Sequence, residues 1–196
     1  MYIHILRQKL TERRSADMAD SNVTKHALAE SLKTLMEHKP FSKISVGDIC
    51  ENCDMNRKSF YYHFRDKYDL VNWIFYTEFV HTLNFAPDDN GWKHLEDVSR
   101  YFYDNKKFYS KALQIEGQNS FRDYFQDILE SILLEYLKFY FGSQKQSNFA
   151  AEFFTDAIIS AIIRWLTSKA PCSPEEFTES VRQCVKFAFP DEANSI

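Results

Sequence analysis

Arg57, Lys58, Ser59, Tyr61, Tyr62 and His63 fall within seven consecutive residues and combine two cations, three hydroxyls and an imidazole. Such a set supplies the donors that phosphate oxygens and base edges accept. Three amphipathic rings grouped beside Arg57 and Lys58 are unusual on a face that meets only water, so the stretch points to nucleic-acid contact. Other chemistry has less support. Cys50-Glu51-Asn52-Cys53 has CxxC spacing, but a redox pair belongs near a βαβ pattern and tetrahedral zinc needs two further ligands. Cys172 and Cys184 lie far off and read as a loop and a core residue, so the cysteines are expected to be small helix-packing side chains, with thiol sensing as the alternative. His4, His26, His38, His63, His81 and His94 show no ligand spacing and pair with no Ser or Cys nucleophile, and no glycine-rich phosphate loop is present. No catalytic residue, metal or cofactor is expected.

The elements that must position the cluster are short helices. Ser45 with Asp48 three residues on caps a helix start, and Val46 and Ile49 then share a face over about 46–53. Asp54 follows where the chain must turn sharply; Asp tolerates the left-handed conformation there, less readily than Gly. Asn56 can cap a second helix that carries the polar cluster outward, while Phe60 and Phe64, four apart, face inward. A further helix opens at the Asp66 cap and runs to about Leu83, with Leu70, Trp73, Ile74 and Thr77 inward.

Over residues 24–75 this pattern resembles the TetR-type bacterial transcriptional regulators. Their capped helix, tight turn and recognition helix ending in Tyr-x-His-Phe, then Lys, read here as Tyr61-Tyr62-His63-Phe64-Arg65-Asp66-Lys67. The resemblance implies that Ser45, Tyr61, His63 and Lys67 hold phosphates while Asn56, Arg57, Lys58, Ser59 and Tyr62 complete the DNA-facing set. Cys53 and Asp54 stand where the family usually has Ala-Gly, and Asp for Gly puts strain into the turn. The stretches YFYDNKKFYSKAL and GQNSFRDYF look most like the dihydroxyacetone-kinase regulator subgroup, some of whose members act as co-activators with a partner protein.

At 196 residues and 44% hydrophobic, the chain can bury a substantial core. Eighteen Phe and eleven Tyr favour packed helices with an aromatic interior. The longest apolar run, 157–166, is too short for a membrane span and contains Arg164, and the amino terminus lacks the apolar core of a secretory signal. A cytoplasmic protein with reduced cysteines is expected. The net charge of −4 is unevenly spread: residues 1–66 hold eleven Lys and Arg against nine Asp and Glu, a net of +2, and the rest carries −6. That polarity suits a protein that touches DNA at one end.

Glycine and proline fall between helical segments, except Gly47, which lies within the helix over 46–53, and Pro174, where a first helical turn accepts it. A first helix over about 23–38 carries Ala27, Leu28, Leu32, Leu35 and Met36 on one stripe, and helices over about 92–105 and 106–116 follow the DNA-reading unit. A helix over 120–141 has an apolar period from Phe121 to Tyr140 and is expected at the centre of the larger domain. The next, 149–168, is apolar over most of its circumference, so a partner subunit is expected to cover one face. Ser173-Pro174-Glu175-Glu176 starts a last helix with Phe177, Val181, Cys184, Val185 and Ala188 as its stripe. Ile159, Ile163, Trp165, Val181 and Val185 are the expected dimer contacts. Tyr101, Phe102, Tyr103, Phe108, Tyr109, Phe121, Tyr124 and Phe125 either fill a core or line a cavity; Gln114, Gln118, Asn119 and Arg122 nearby supply the polar groups a ligand pocket needs.

The expectation is an all-α chain: a flexible N-terminal tail (1–21), a three-helix helix-turn-helix DNA-binding domain (22–66), and a C-terminal helical ligand-binding and dimerisation domain (67–196). Met18 is an alternative translation start. The expected function is a homodimer on palindromic operator DNA, a repressor released by a small-molecule effector. A co-activator acting through a protein co-regulator and a cysteine-based redox or metal enzyme are the alternatives.

Overall fold

The computed structural model describes residues 19–82, 91–117, 119–137 and 143–188. Most of the expected 1–21 tail, and Gln118, lie outside the described residues. The described residues form nine α-helices and no strand: α1 (Ala19–His38), α2 (Val46–Glu51), α3 (Arg57–His63), α4 (Lys67–Glu78), α5 (Gly91–Asp104), α6 (Lys106–Ala112), α7 (Phe121–Leu137), α8 (Gln144–Thr167) and α9 (Pro174–Ala188). A single 3-10 turn, Phe41–Lys43, leads into α2, and another, Val80–Thr82, follows α4.

Capping chemistry sets the helix starts. Ser45 Oγ accepts from the Asp48 amide at 3.1 Å while the Asp48 carboxylate accepts from the Ser45 amide at 2.7 Å, a reciprocal box at the head of α2. Asn56 Oδ1 takes the Ser59 amide at 2.9 Å, and Asp66 Oδ1 takes the Tyr68 and Asp69 amides, each at 2.9 Å. Ser173 and Glu176 repeat the reciprocal box at α9. The turn between α2 and α3 places Asp54 at φ 54°, the left-handed region that its sequence position requires.

α1, α2 and α3 close on Leu28, Leu32, Met36, Ile49 and Phe60, all buried. α4 then runs from this unit into the larger domain. It is shorter than the spacing suggests, ending at Glu78, and it buries Leu70, Val71, Ile74 and Phe75, whereas Trp73 and Thr77 stay half-exposed. The reason is its position: α4 is covered by α1 on one side and by α7 on another, so no single stripe describes it. Lys111 of α6 donates to the carbonyls of Met36 and Glu37 (3.1 Å to the latter), tying the larger domain to the end of α1.

In the larger domain α7 packs along α8 and α5 packs on α9. Three sequence expectations change here. α7 is central only in its first turns, where Phe121 and Phe125 are buried; Ile128, Leu129 and Leu133 are half-buried. Cys184 is exposed although it lies seven residues past Phe177 and so near the same face, because α9 buries Phe177 and Thr178 in its first turns and none of its described residues after Thr178. Ile159 and Trp165 are core residues of the subunit, 1% and 7% exposed, and so are not available to a dimer contact. Trp165 stacks on Phe177 at 4.4 Å and donates its indole N–H to the Cys172 carbonyl at 2.9 Å.

Candidate nucleic-acid interface

α3 is held from beneath by Phe60 and Phe64, 0% and 3% exposed, and this orients everything else on it. Tyr61 and Tyr62 stand 59% and 79% exposed, and Arg57 and Lys58 are exposed beside them. Aromatic rings of that size left in water are the feature of α3 that folding does not explain. His63 is half-buried with its ring 4.8 Å from that of Tyr62. Ser59 is committed locally: its hydroxyl and its amide both turn to Asn56 Oδ1, at 3.3 and 2.9 Å.

Arg57 reaches back across the turn. Its guanidinium lies over Gly47 so closely that a Cβ at residue 47 would sit 2.5 Å from Nη2, which makes Gly47 the residue that admits Arg57 to the first turn of α2. Asp48 faces Arg57 and lies 4.0 Å from Lys39; its bonds from Ser45 hold its carboxyl below the usual carboxylate range. An open polar groove of about 560 Å³ runs here between α2 and α3, lined by Ser45, Asp48, Asn56 and Arg57 among others. The glycine's role was not evident from sequence, where residue 47 appears only as a helix glycine.

Lys67 is placed differently from the other expected anchors. Its ammonium donates to the carbonyls of Phe41 and Ile44 at 2.7 and 2.6 Å and lies 4.3 Å from the centre of the Phe41 ring. Burial pulls its pKa below the usual lysine value. Two of its three N–H donors are therefore used to pin the segment that leads into α2, with one left for a phosphate.

The aromatic residues of the larger domain are brought together. Phe102, Tyr109 and Phe121 are fully buried, Phe108 and Phe125 nearly so, and they pack around Phe75 with ring centres 5.2 to 6.0 Å from it for Phe102, Tyr109, Phe121 and Phe125. Tyr101 and Tyr124 are half-buried at the edge. Gln114, Asn119 and Arg122 are exposed, so the polar residues adjacent in sequence do not converge on the rings; Gln114 bonds to the Ser110 carbonyl of its own helix. Of the expected dimer residues, Ile163, Val181 and Val185 are half-buried. Sequence reasoning missed Phe149 and Phe153, which stack on each other and stand 68% and 59% exposed on α8. Their signal is phase: they fall off the stripe of Ala151, Thr155, Ile158 and Ile162 that α8 buries.

Cys50 is buried and Cys53 half-buried; burial raises both thiol pKa values, and Cys53 donates to the Ile49 carbonyl at 3.2 Å. Among the described residues no three His, Cys, Asp or Glu side chains group as a metal site would need, and no helix is long and apolar enough to cross a membrane.

Comparison with known proteins matches residues 29–74 to the bacterial regulatory proteins of the tetR family and residues 90–186 to a transcriptional regulator C-terminal region. The chain is 29% identical over 153 residues to the HTH-type dhaKLM operon transcriptional activator DhaS of Lactococcus lactis, covering 76% of this chain and 81% of that one. Its fold is similar to that of the dihydroxyacetone kinase operon activator DhaS (TM-score 0.60, 23% identity, 86% and 97% of the two chains). It is also similar to a TetR transcriptional regulator from Streptococcus agalactiae (TM-score 0.66, 19% identity, 91% and 98%). With the capped two-helix reader, the exposed face of α3 and both family matches in agreement, the chain belongs to the TetR family, DNA-binding transcriptional regulators that bind operator DNA and function as dimers.

Proposed function

We propose that the chain is a homodimer that reads a two-fold operator with paired α3 helices and activates an operon of the dihydroxyacetone kinase type. The observation that carries the DNA contact is the outer face of α3, where Arg57, Lys58, Tyr61 and Tyr62 are exposed above a fully packed Phe60. Ser45, Tyr61 and His63 serve phosphates; Arg57, Lys58 and Tyr62 serve base edges, Arg57 and Lys58 matching guanine acceptors. Activation, with the larger domain read by a protein co-regulator, is supported by the Lactococcus relative, named as an operon activator. The packed rings around Phe75 agree with it, since they offer a small molecule no prepared space among themselves.

The dimer contact falls on the outer face of α8. Phe149, Phe153, Ala157, Ser160 and Ile163 share that face, with Asp156 and Arg164 on it. The charges suit a second copy: antiparallel pairing about Ser160 sets Asp156 against Arg164 of the partner subunit, twice by symmetry, and the small Ala157 and Ser160 permit close approach.

Fragments of the source genome selected on the wild-type chain should contain paired half-sites, and Arg57→Ala or Lys58→Ala should cost about 1 to 3 kcal/mol at one symmetric pair of positions. In sedimentation, Asp156→Arg alone should weaken the dimer and Asp156→Arg with Arg164→Asp should restore it. Selection of unpaired sites, or a dimer indifferent to Phe153→Asp, would defeat this reading.

A further inference from the structure

Lys33 of α1 pairs through its ammonium with the carboxylate of Glu78, the last residue of α4. The second Glu78 oxygen accepts from the Tyr101 hydroxyl of α5 at 2.9 Å, and the hydroxyls of Tyr101 and Tyr109 of α6 lie 2.7 Å apart. Proton inventory gives this chain a direction. A carboxylate only accepts and each phenol has one proton, so Tyr101 spends its proton on Glu78 and Tyr109 donates to Tyr101. Burial holds both phenols far above the usual tyrosine range, which keeps those protons in place.

The two ends lie in different parts of the molecule. Tyr109 is fully buried, with the rings of Phe102, Phe108 and Phe121 4.8 to 5.4 Å from its own. Lys33 belongs to the helix that carries the DNA-reading pair, and the Lys33 and Glu78 side chains are only 24% and 26% exposed. Apolar contacts would join these helices with less desolvation; what a directional polar chain adds is one defined arrangement of donors and acceptors, hence one defined angle.

We infer that Glu78 is a positioning residue for operator recognition: with Lys33, Tyr101 and Tyr109 it sets the angle between the DNA-reading helices and the aromatic core. In a dimer that angle sets the separation of the two α3 helices, which must match half-sites about one helical turn, roughly 34 to 36 Å, apart. This rests on the homodimer reading above.

The test is selection from a random-sequence duplex pool with the full chain, run in parallel for wild type, Glu78→Gln, Tyr101→Phe and Glu175→Gln. The last is a control: it removes an ion pair between Arg100 and Glu175, 2.5 Å, that joins α5 to α9 within the larger domain. Wild type and Glu175→Gln should enrich paired half-sites at one spacing. Glu78→Gln and Tyr101→Phe should enrich the same half-site over several spacings, and bind the wild-type spacing about threefold to tenfold more weakly, within the range of such couplings. Their affinity for a single half-site should be unchanged. Should Glu78→Gln not fold, Tyr101→Phe, which keeps the ring and the ion pair, decides alone. Wild-type spacing selectivity in these variants, or an equal loss on a single half-site, would overturn the inference. Unpaired sites from the wild type itself would overturn the homodimer reading and this inference with it.

Discussion

Replacing Lys67 by Met separates two roles that its position in the sequence does not distinguish. The methionine keeps the stem but removes donors to the Phe41 and Ile44 carbonyls and the cation over the Phe41 ring. Two hydrogen bonds from a charged donor are worth up to about 3 kcal/mol each. The net loss is smaller: the ammonium is half-exposed, burial already disfavours its charge, and the Phe41 carbonyl keeps the Ile44 amide at 3.1 Å. A cost of about 1.5 to 3 kcal/mol follows, and at about 2 to 4 °C per kcal/mol for a chain of this size the melt should fall by roughly 3 to 12 °C. DNA affinity measured well below both melts, as a function of salt, then reads the other role. An internal cap leaves the slope of log affinity against log salt unchanged; a phosphate anchor lowers it by about 0.9. A wild-type melt combined with a lowered slope would refute the assignment of Lys67 to the Phe41 and Ile44 carbonyls.

Asp54→Gly should raise stability by about 0.5 to 1 kcal/mol, because the left-handed backbone at φ 54° costs a side-chain-bearing residue more than glycine; an unchanged or lower melt would show no strain in the turn. Gly47→Ala should leave the melt unchanged or slightly higher while altering base preference, since the new methyl displaces the flexible Arg57 guanidinium and not backbone; competition between duplexes mutated one position at a time checks this. Asp48 has a folded pKa depressed below its ordinary 3.8, so its contribution is present above about pH 4 and is lost as pH falls through the lower folded value. Melts across pH 2 to 6 should therefore be flatter for Asp48→Asn than for wild type.

The DNA-reading unit is legible in the sequence because its constraints are local. Ser45 with Asp48, Asn56 with Ser59, and Asp66 each satisfy amides within three residues, and Asp54 announces a turn that few residue types accept. What failed depends on neighbours far along the chain. Trp73 and Thr77 have the right period to be inward, yet α4 is covered from more than one side and buries Val71 and Phe75 instead. Ile159 and Trp165 look like surplus apolar residues until Phe177 of α9 is stacked on Trp165. The internal role of Lys67 is equally illegible: the 3-10 turn presents two carbonyls to it, a partnership spanning 26 and 23 residues that no local pattern encodes.

The aromatic cluster shows the same limit and has a functional consequence. Phe, Tyr and Trp at helical spacing suit a core and a cavity wall equally, and only packing separates the two. Phe102, Tyr109 and Phe121 have no exposed surface and occupy one another's space around Phe75. Any effector acting within this group must displace close-packed rings. A partner protein at the surface displaces none of them. The polar exit from the cluster is the Tyr109 hydroxyl, and it leads through Tyr101 and Glu78 to Lys33. A disturbance of the rings thus reaches the DNA-reading helices by breaking a hydrogen bond that has one geometry, a change that a continuous apolar contact would absorb by small adjustments.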